Sequence, residues 1–323
     1  MIEPAEELSG KDLLDIKSLS PGEIRLILDT SPPFKQLFTR SVKKVPPLQG
    51  KTVLLLFYEP STRTRTSFDI AAKRLSADAS SFPVSKSSVK KGESLLDTIS
   101  TLESMRADYI VIRYPEGGGP HLVARNTSAS VVNAGDGTHS HPTQALLDAY
   151  TLDETFDSLQ GRKVVIAGDI VHSRVARSTS RCLNKLGMDV GFFGPGTLLP
   201  SKVPDYIETF YSFEEVFEWS PDVLYLLRLQ LERQKANFFP TKREYHNIFG
   251  VTQERFRRLR DNGTYIMHPG PVNRGVELID EVMEYERSLI DQQVENGIAV
   301  RMSVLYLLSP VSQEETFEVE EVV

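Results

Sequence analysis

Hydroxyl and guanidinium side chains cluster in one short segment, Ser61-Thr62-Arg63-Thr64-Arg65. The segment follows a continuous apolar run, Thr52 to Tyr58, and precedes a helical pattern of apolar residues. A helix amino terminus offers unpaired N–H groups and a partial positive charge, and arginine adds a planar fork that matches phosphate oxygens. Because a simple helix cap needs only one hydroxyl, the sequence predicts a phosphate-binding turn here. Glu59, just before the turn, either orients an arginine or faces solvent.

His141 and Gln144 stand three residues apart at the start of a second predicted helix. This spacing lets both side chains reach the same cleft. His139 and His141 could also be read as a metal pair, but no third ligand stands at a suitable spacing, so we predict no metal site. We interpret His141 as a hydrogen-bond donor to a substrate carbonyl oxygen.

Two other segments are weaker signals. Ser85 to Ser94 combines lysines with hydroxyls, and a solvated loop is the simpler interpretation of such a run taken alone. Gly194-Pro195-Gly196 begins like a dinucleotide-binding fingerprint, but Leu199 stands where the third glycine is required. We therefore give neither segment a function from its own residues.

Short apolar runs of strand length alternate with helix-length amphipathic stretches along the chain. This alternation predicts an α/β protein with parallel sheets, in which functional residues lie beyond the carboxyl ends of strands. A break near residues 150–162 separates two such sets, and a capping box at Ser20, Pro21 and Glu23 predicts an opening helix. The predicted strands are Thr52–Tyr58, Tyr109–Ile112, Ser130–Val132, Val164–Ala167, Val190–Phe193 and Val223–Leu227.

Composition limits the classes of function. The 323 residues include 37 basic and 44 acidic side chains, for a formal net charge of −7, which argues against a broad nucleic-acid-binding surface. No apolar run reaches membrane-spanning length and the amino terminus is acidic, so we expect a cytoplasmic protein that binds neither membrane nor nucleic acid. The single Cys182 is expected to be a buried core residue.

Taken together, these motifs resemble the signature of the aspartate/ornithine carbamoyltransferase family, and the resemblance extends over nearly the whole chain. Lys90-Lys91-Gly92-Glu93 and Arg228-x-Gln230 match the aspartate branch, and the ornithine branch's His-Cys-Leu-Pro motif is replaced by His268-Pro269-Gly270-Pro271. Gly270 stands where some members carry leucine, so only its backbone carbonyl can make the expected contact. The segments that carry the resemblance are Phe57–Arg65, Ser87–Glu93, Arg113, His141–Gln144, Asp169–Arg174, Arg228–Gln230 and Met267–Pro271.

The resemblance implies a fold and a reaction. The fold is α/β with two domains, each a parallel β-sheet flanked by helices on both faces. Residues 1–150, completed by a carboxyl-terminal helix at 298–323, would bind carbamoyl phosphate, and residues 151–297 would bind L-aspartate. Carbamoyl transfer to the aspartate amine would give N-carbamoyl-L-aspartate and phosphate in de novo pyrimidine biosynthesis, without a cofactor. The alternatives are a carbamoyltransferase for another amine, such as ornithine, and a catalytically silent homologue.

The resemblance also assigns residues and partners. The implied assembly is a homotrimer with shared active sites, with a regulatory chain or a dihydroorotase as a possible further partner. The implied catalytic residues are Arg63, Thr64, Lys91, Arg113 and His141. The implied carbamoyl phosphate ligands are Ser61, Thr62, Arg63, Thr64, Ser87, Arg113, His141, Gln144, Pro269 and Gly270. The implied L-aspartate ligands are Lys91, Arg174, Arg228 and Gln230.

Overall fold

The computed structural model describes residues 2–83, 94–229 and 241–309. The chain divides into two compact units. Unit 1 extends to Tyr150 and also includes the segment from Glu295 onward, and unit 2 comprises Thr151–Val294.

Unit 1 contains a four-stranded parallel sheet with the strand order β2-β1-β3-β4. The strands are β1 (Thr52–Phe57), β2 (Asp78–Pro83), β3 (Tyr109–Tyr114) and β4 (Ser130–Asp136). The helices are α1 (Pro21–Asp29), α2 (Ser31–Gln36), α3 (Thr62–Arg74), α4 (Leu95–Ser104) and α5 (Gly119–Ala124), and a 3-10 turn spans Leu37–Thr39. Helix α6 (Pro142–Asp153) leads from unit 1 into unit 2.

Unit 2 contains a five-stranded parallel sheet with the strand order β7-β6-β5-β8-β9. The strands are β5 (Lys163–Ala167), β6 (Asp189–Phe193), β7 (Ile207–Phe210), β8 (Val223–Leu226) and β9 (Tyr265–Met267). The helices are α7 (Arg174–Lys185), α8 (Phe213–Trp219), α9 (Lys242–Phe249) and α10 (Gln253–Asp261), with 3-10 turns at Gly196–Leu198 and Asp280–Glu284. Helix α11 (Ile290–Leu307) begins in unit 2 and returns the chain to unit 1.

Both sheets are covered on both faces, which confirms the predicted α/β class. In β1, Leu54 and Leu56 pack with residues of α4 and α5, while Val53 and Leu55 on the opposite face are also completely buried. Continuous burial of this kind is typical of parallel strands between helical layers. In unit 2, apolar residues of β5, β8 and β9 form a core with α8 and α10. Cys182 is buried, as predicted.

The six predicted strands are confirmed, and the described ranges contain three further strands that were not predicted. The missed strands, β2, β7 and β9, are all at the edges of their sheets. An edge strand is covered less completely, so its sequence is shorter or more polar than that of a central strand. Asp78–Pro83 contains two serines and a terminal proline, and Tyr265–Met267 has only three residues.

The carboxyl-terminal helix differs from its predicted bounds of 298–323. It begins at Ile290 and ends at Leu307. The early start was missed because this first part carries buried polar side chains, Gln293 and Asn296, and so lacks a simple apolar stripe. The early end follows from Pro310, which disfavours a helical backbone at the residue before it. No helix in the described ranges has the length and apolarity that a bilayer crossing requires.

The predicted opening helix is confirmed as α1. Ser20 Oγ accepts a hydrogen bond from Glu23 N at 3.1 Å, and Glu23 Oε2 accepts from Ser20 N at 2.7 Å. Glu23 Oε1 also accepts hydrogen bonds from Ser9 N and Oγ, at 2.8 and 2.7 Å. Burial raises the pKa of Glu23, but the hydrogen bonds from Ser20 and Ser9 outweigh it and lower the pKa to about 2.

Replacing Glu23 by glutamine is expected to lower the free energy of unfolding at pH 7 by roughly 2–3 kcal/mol. Because the pKa is depressed in the folded state, this stabilisation is complete above the unfolded value of 4.5 and disappears as the pH falls towards 2. Urea denaturation of the wild type and Glu23→Gln at pH 7 and pH 3 measures it. A difference between the two proteins that does not shrink at pH 3 would contradict the assignment, and exposed Glu6→Gln provides the control.

Candidate active site

The predicted phosphate turn lies where the order of strands in unit 1 reverses. Strand β1 is hydrogen-bonded to β2 on one side and to β3 on the other, so the chain leaves β1 and β3 in opposite directions across the sheet. Ligand-binding crevices in open parallel sheets form at such positions, outside the carboxyl ends of the strands. The turn after β1 and Arg113 in β3 both lie at the carboxyl-terminal ends of these strands.

Ser61 is the residue at the amino-terminal cap of α3. Within the described part of the chain its side chain makes no capping hydrogen bond, whereas the cap residues Ser20 and Ser94 do. The first turn of α3 carries two arginines and no acidic residue. The turn therefore combines hydroxyl groups, cationic side chains and first-turn amides, which is the donor set that binds an anion.

Arg113 is held by a carboxylate and by the backbone. Its Nε donates to Glu59 Oε2 at 3.2 Å, and its Nη1 donates to Ala134 O at 3.3 Å. The pairing between β3 and β4 shifts register between Ile112 and Tyr114, so Arg113 lies opposite two residues of β4, Ala134 and Gly135. Of the two interpretations of Glu59, contact with an arginine is therefore the one observed.

A buried aspartate shapes the turn that precedes His141. Asp136 Oδ1 accepts from Asn133 Nδ2 at 2.9 Å and from Ser140 N at 3.0 Å, and Oδ2 accepts from Gly118 N at 2.7 Å. His139 Nδ1 lies 2.9 Å from the same Oδ2. With its carboxylate satisfied on both oxygens, Asp136 fixes the loop and places His141, which is buried, at the start of α6.

Gln144 is oriented by a second buried aspartate. Its Nε2 donates to Asp148 Oδ1 at 2.9 Å, one turn further along α6. Because the amide nitrogen is engaged in this way, the amide oxygen Oε1 is the atom directed at other groups, and it can accept a hydrogen bond.

Asp148 faces the buried Arg301 of α11. Burial lowers the pKa of Arg301 to about 10, and the charge of Asp148 opposes this shift. Arg301 Nη1 donates to Ser67 Oγ in α3 at 2.9 Å. Helix α11 thereby supports the two helices of unit 1 that carry the predicted carbamoyl phosphate ligands.

In unit 2 the strand order also reverses, between β5 and β8. The loop after β5 leads to the helix cap Ser173, whose Oγ accepts from Ala176 N at 3.1 Å. Arg174, the first residue of α7, is only 4% exposed. Arg174 therefore lies at the carboxyl-terminal end of the sheet of unit 2, and a guanidinium group can bind a carboxylate through two parallel hydrogen bonds.

Strands β8 and β9 place the other described site residues of unit 2 at the same carboxyl-terminal end of the sheet. Arg228 follows β8, and Pro269 and Gly270 follow β9, which is paired with β8. Gly270 has a φ of 64°, a left-handed conformation that favours glycine, and its N–H donates to His268 Nδ1 at 2.8 Å. Glycine at this position therefore agrees with the backbone.

The described residues include most of the predicted site. Ser61, Thr62, Arg63, Thr64, Arg113, His141 and Gln144 lie in unit 1, and Arg174, Arg228, Pro269 and Gly270 lie in unit 2. Ser87, Lys91 and Gln230 lie outside the described residues. Within the described ranges, His, Cys, Asp and Glu side chains form no group of three that could hold a metal ion.

Sequence reasoning missed the carboxylates that support these residues. Asp148 could have been found, because it stands four residues after Gln144 and so lies on the same face of a predicted helix. Asp136 also stands within four residues of its partners Asn133 and Ser140, so the sequence held a local signal there too. Arg301 gave none, because its partner Ser67 is far away in the sequence.

Comparison with known proteins agrees with this arrangement. The model of the "Aspartate/ornithine carbamoyltransferase, carbamoyl-P binding domain" matches residues 11–154, and that of the "Asp/Orn binding domain" matches residues 160–308. The aspartate carbamoyltransferase catalytic subunit of Akkermansia muciniphila is 60% identical, covering 94% of this chain and 98% of its own. That of Endomicrobium trichonymphae is 52% identical, covering 94% and 97%.

Solved structures show the same fold. Aspartate transcarbamoylase from Trypanosoma cruzi, in complex with carbamoyl phosphate and aspartate, superposes with a TM-score of 0.82 at 27% identity and covers 95% of this chain and 99% of its own. The catalytic subunit of M. Jannaschii aspartate transcarbamoylase gives a TM-score of 0.80 at 33% identity, covering 95% and 100%. On the family models and these relatives, the chain belongs to the aspartate/ornithine carbamoyltransferase family.

Proposed function

We propose that this protein transfers the carbamoyl group of carbamoyl phosphate to the α-amino group of L-aspartate, giving N-carbamoyl-L-aspartate and phosphate. One observation carries the proposal: each unit has arginines at the carboxyl ends of the strands where its strand order reverses. In unit 1 they belong to the predicted phosphate turn, and in unit 2 they are Arg174 and Arg228. Ornithine is the less favoured acceptor, because the relatives at 60% and 52% identity are both aspartate enzymes.

The phosphate group is assigned to the turn at the start of α3. The hydroxyls of Ser61, Thr62 and Thr64 and the guanidinium groups of Arg63 and Arg113 donate to its oxygens, and Ser87 completes the set. Arginine suits this task because its fork can bind two phosphate oxygens at once and keeps its charge at any physiological pH.

The carbamoyl group is assigned to donors on one side and acceptors on the other. Thr64, Arg113 and His141 donate to the carbonyl oxygen, which gains negative charge as the tetrahedral intermediate forms. Gln144 Oε1 accepts from the carbamoyl NH₂, as do the carbonyl oxygens of Pro269 and Gly270. The hydrogen bond from Gln144 Nε2 to Asp148 supports this assignment, because it leaves Oε1 as the acceptor.

The two carboxylates of L-aspartate are assigned to Arg174, Arg228, Gln230 and Lys91. Each arginine can clamp one carboxylate through two parallel hydrogen bonds. Ornithine has a side-chain ammonium group where aspartate has its second carboxylate, so a site with two arginines favours aspartate by charge alone.

The reaction balances without a cofactor. The neutral amine nitrogen attacks the carbamoyl carbon, and the carbonyl π electrons move to oxygen. When they return, the bond between that carbon and the bridging phosphate oxygen breaks and phosphate leaves. The proton lost by the amine passes to the departing phosphate, which is the base closest to it. His141 then serves as a neutral hydrogen-bond donor.

We also propose the domain roles, the pathway and the assembly, on the basis of the family to which the chain belongs. Residues 1–150 with the carboxyl-terminal helix form the carbamoyl-phosphate-binding domain, and the intervening residues form the aspartate-binding domain. The reaction serves de novo pyrimidine biosynthesis in the cytoplasm. The active protein is a homotrimer in which Lys91 and Ser87 act in a neighbouring subunit's site, and a regulatory chain or a dihydroorotase is a candidate for a larger assembly.

Shared sites predict complementation between two inactive variants. Trimers assembled from a mixture of Lys91→Ala and His141→Ala chains contain some sites with neither substitution, so they are expected to regain activity that neither pure variant has. Steady-state assays of mixed and separately assembled trimers measure this, and a mixture no more active than its components would contradict the shared site.

The amine assay tests the reaction itself. Carbamoyl phosphate is supplied with L-aspartate, L-ornithine or other amino acids, while released phosphate and ureido products are both measured. We expect phosphate and N-carbamoyl-L-aspartate in equal amounts with aspartate, at a rate far above that with ornithine. Absence of product with aspartate would overturn the proposal, and product with ornithine alone would establish the other branch.

A further inference from the structure

A buried carboxylate that belongs to none of the predicted motifs holds the chain beside Arg228. Glu277 is 1% exposed. Its Oε1 accepts a hydrogen bond from Leu229 N at 2.9 Å and one from Asn273 Nδ2 at 2.7 Å, and its Oε2 accepts from Asn273 N at 2.6 Å. Three N–H groups thus converge on this single carboxylate.

Glu277 and Asn273 together hold both polar groups of the Leu229 backbone. Asn273 Nδ2, which is bound to Glu277, also lies 3.4 Å from Leu229 O. Strand β8 ends at Leu226, and within it neighbouring strands satisfy the backbone N–H and C=O groups. At Leu229, beyond the end of the strand, the side chains of Glu277 and Asn273 take this role. The Leu229 side chain is buried with Leu198 and Tyr245. The residue next to Arg228 is therefore fixed by its backbone and its side chain together.

The supporting carboxylate is itself on a fixed part of the chain. Glu277 O accepts from Val251 N at 2.9 Å, and Gly275 N donates to Leu278 O at 2.8 Å across a tight turn. Burial raises the pKa of Glu277, while the hydrogen bonds from Leu229 and Asn273 oppose that shift. A carboxylate is costly to bury, and here each of its oxygens accepts an N–H, so the site is built for an acceptor at this position.

The same carboxylate lies next to the loop after β9. His268 Nε2 is 3.9 Å from Glu277 Oε2, and both side chains are buried. His268 Nδ1 accepts from Gly270 N, so the proton of the neutral imidazole is on Nε2, the atom that faces Glu277. At 3.9 Å this separation is longer than a hydrogen bond, so the two side chains are neighbours without a direct hydrogen bond.

We propose that Glu277 is a positioning residue that sets the geometry of the substrate-binding segment carrying Arg228, through its hydrogen bond from Leu229 N–H. The inference rests on the proposed function, because it takes Arg228 as a ligand of L-aspartate. Glu277 itself touches no substrate. It restrains the backbone next to Arg228, the residue proposed to contact the substrate.

Glu277→Gln tests the proposal with little change in shape. An amide keeps one acceptor but turns an N–H group towards Leu229 N or towards Asn273 N and His268, so donors face donors. The KM for L-aspartate is expected to rise about tenfold to hundredfold, with a smaller change in kcat. The Kd for phosphonoacetate, which mimics carbamoyl phosphate, is expected to stay within about twofold, because its phosphonate ligands are in unit 1.

Asp222→Asn is the matched control for the same chemical change. Asp222 also accepts a backbone N–H, from Lys163 at 2.8 Å, and pairs with Arg162 Nη1 at 2.8 Å. It lies in unit 2 at the amino end of β8, opposite the edge that carries Arg228. Its substitution is expected to lower the melting temperature without changing the KM for aspartate.

Asn273→Ala keeps the test decisive if Glu277→Gln fails to fold. It removes the amide that bonds both Glu277 and Leu229 O but leaves the buried charge, and it is expected to raise the same KM. Wild-type turnover with an unchanged KM in the folded variants would overturn this inference alone, as would an equal rise in Asp222→Asn. Absence of wild-type turnover would overturn both the proposed function and this inference.

Discussion

Replacing Arg113 by methionine is expected to lower kcat by about 10²- to 10³-fold while the protein stays folded. Methionine has a similar length and removes every N–H donor. Arg113 is held between Glu59 and Ala134 O, so its guanidinium group is fixed before substrate binds. A preorganised donor of this kind stabilises charge on the carbonyl oxygen and on the leaving phosphate at the same time, which is why the loss is expected mainly in kcat.

The matched control is Arg125→Met, the same substitution at an exposed arginine of unit 1. Steady-state kinetics of both variants, together with melting temperatures, separate catalysis from stability. A kcat for Arg113→Met within about threefold of wild type would remove Arg113 from the proposed mechanism. An equal loss in Arg125→Met would point to a general effect of removing positive charge.

Replacing Arg228 by methionine is expected to lower kcat/KM for L-aspartate by about 10²- to 10³-fold. Truncating one partner of a hydrogen-bonded charge pair at a buried contact costs roughly 2–5 kcal/mol, and each 1.4 kcal/mol is a factor of about ten. The loss is expected chiefly as a higher KM, because the carboxylate that Arg228 binds carries its charge in the ground state and in the transition state alike.

Arg228→Lys separates charge from geometry. Lysine keeps the positive charge but lacks the planar fork, so its kcat/KM is expected to lie between that of the wild type and that of Arg228→Met. Arg243→Met, at an exposed position of α9, is the control. An unchanged KM for aspartate in Arg228→Met would assign the acceptor carboxylates to other residues.

The sequence predicted the central strands because a strand buried on both faces must be apolar throughout, as Thr52–Phe57 is. The helix start after this strand is confirmed. Phosphate binding there stays a prediction, made because capping a helix takes one hydroxyl and the additional hydroxyls and arginines suit an anion. The edge strands β2, β7 and β9 were missed because neither their length nor their apolar content distinguishes them from loops, whereas the edge strand β4 is buried along its whole length. Asp78–Pro83 pairs with β1 only because the chain folds back beside it, and no local pattern encodes that.

The supporting residues were missed for a related physical reason. A ligand must carry a particular functional group, so its residue type is informative in the sequence, whereas a supporting carboxylate is recognised by its partner. Glu277 and Leu229 are 48 residues apart, and the pairing of β8 with β9 brings their segments together. The hydrogen bond from Gly118 N to Asp136 likewise joins residues 18 positions apart in the sequence.

Affinity for a bisubstrate mimic is the sharpest test of a site that holds carbamoyl phosphate and aspartate side by side. N-(phosphonacetyl)-L-aspartic acid joins a phosphonate to aspartate in one molecule. Calorimetric titration is expected to give a Kd at least about 10²-fold below that of phosphonoacetate, and Arg113→Met and Arg228→Met should each weaken it. A Kd no lower than that of phosphonoacetate, or one unaffected by either substitution, would contradict a site that binds both substrates together.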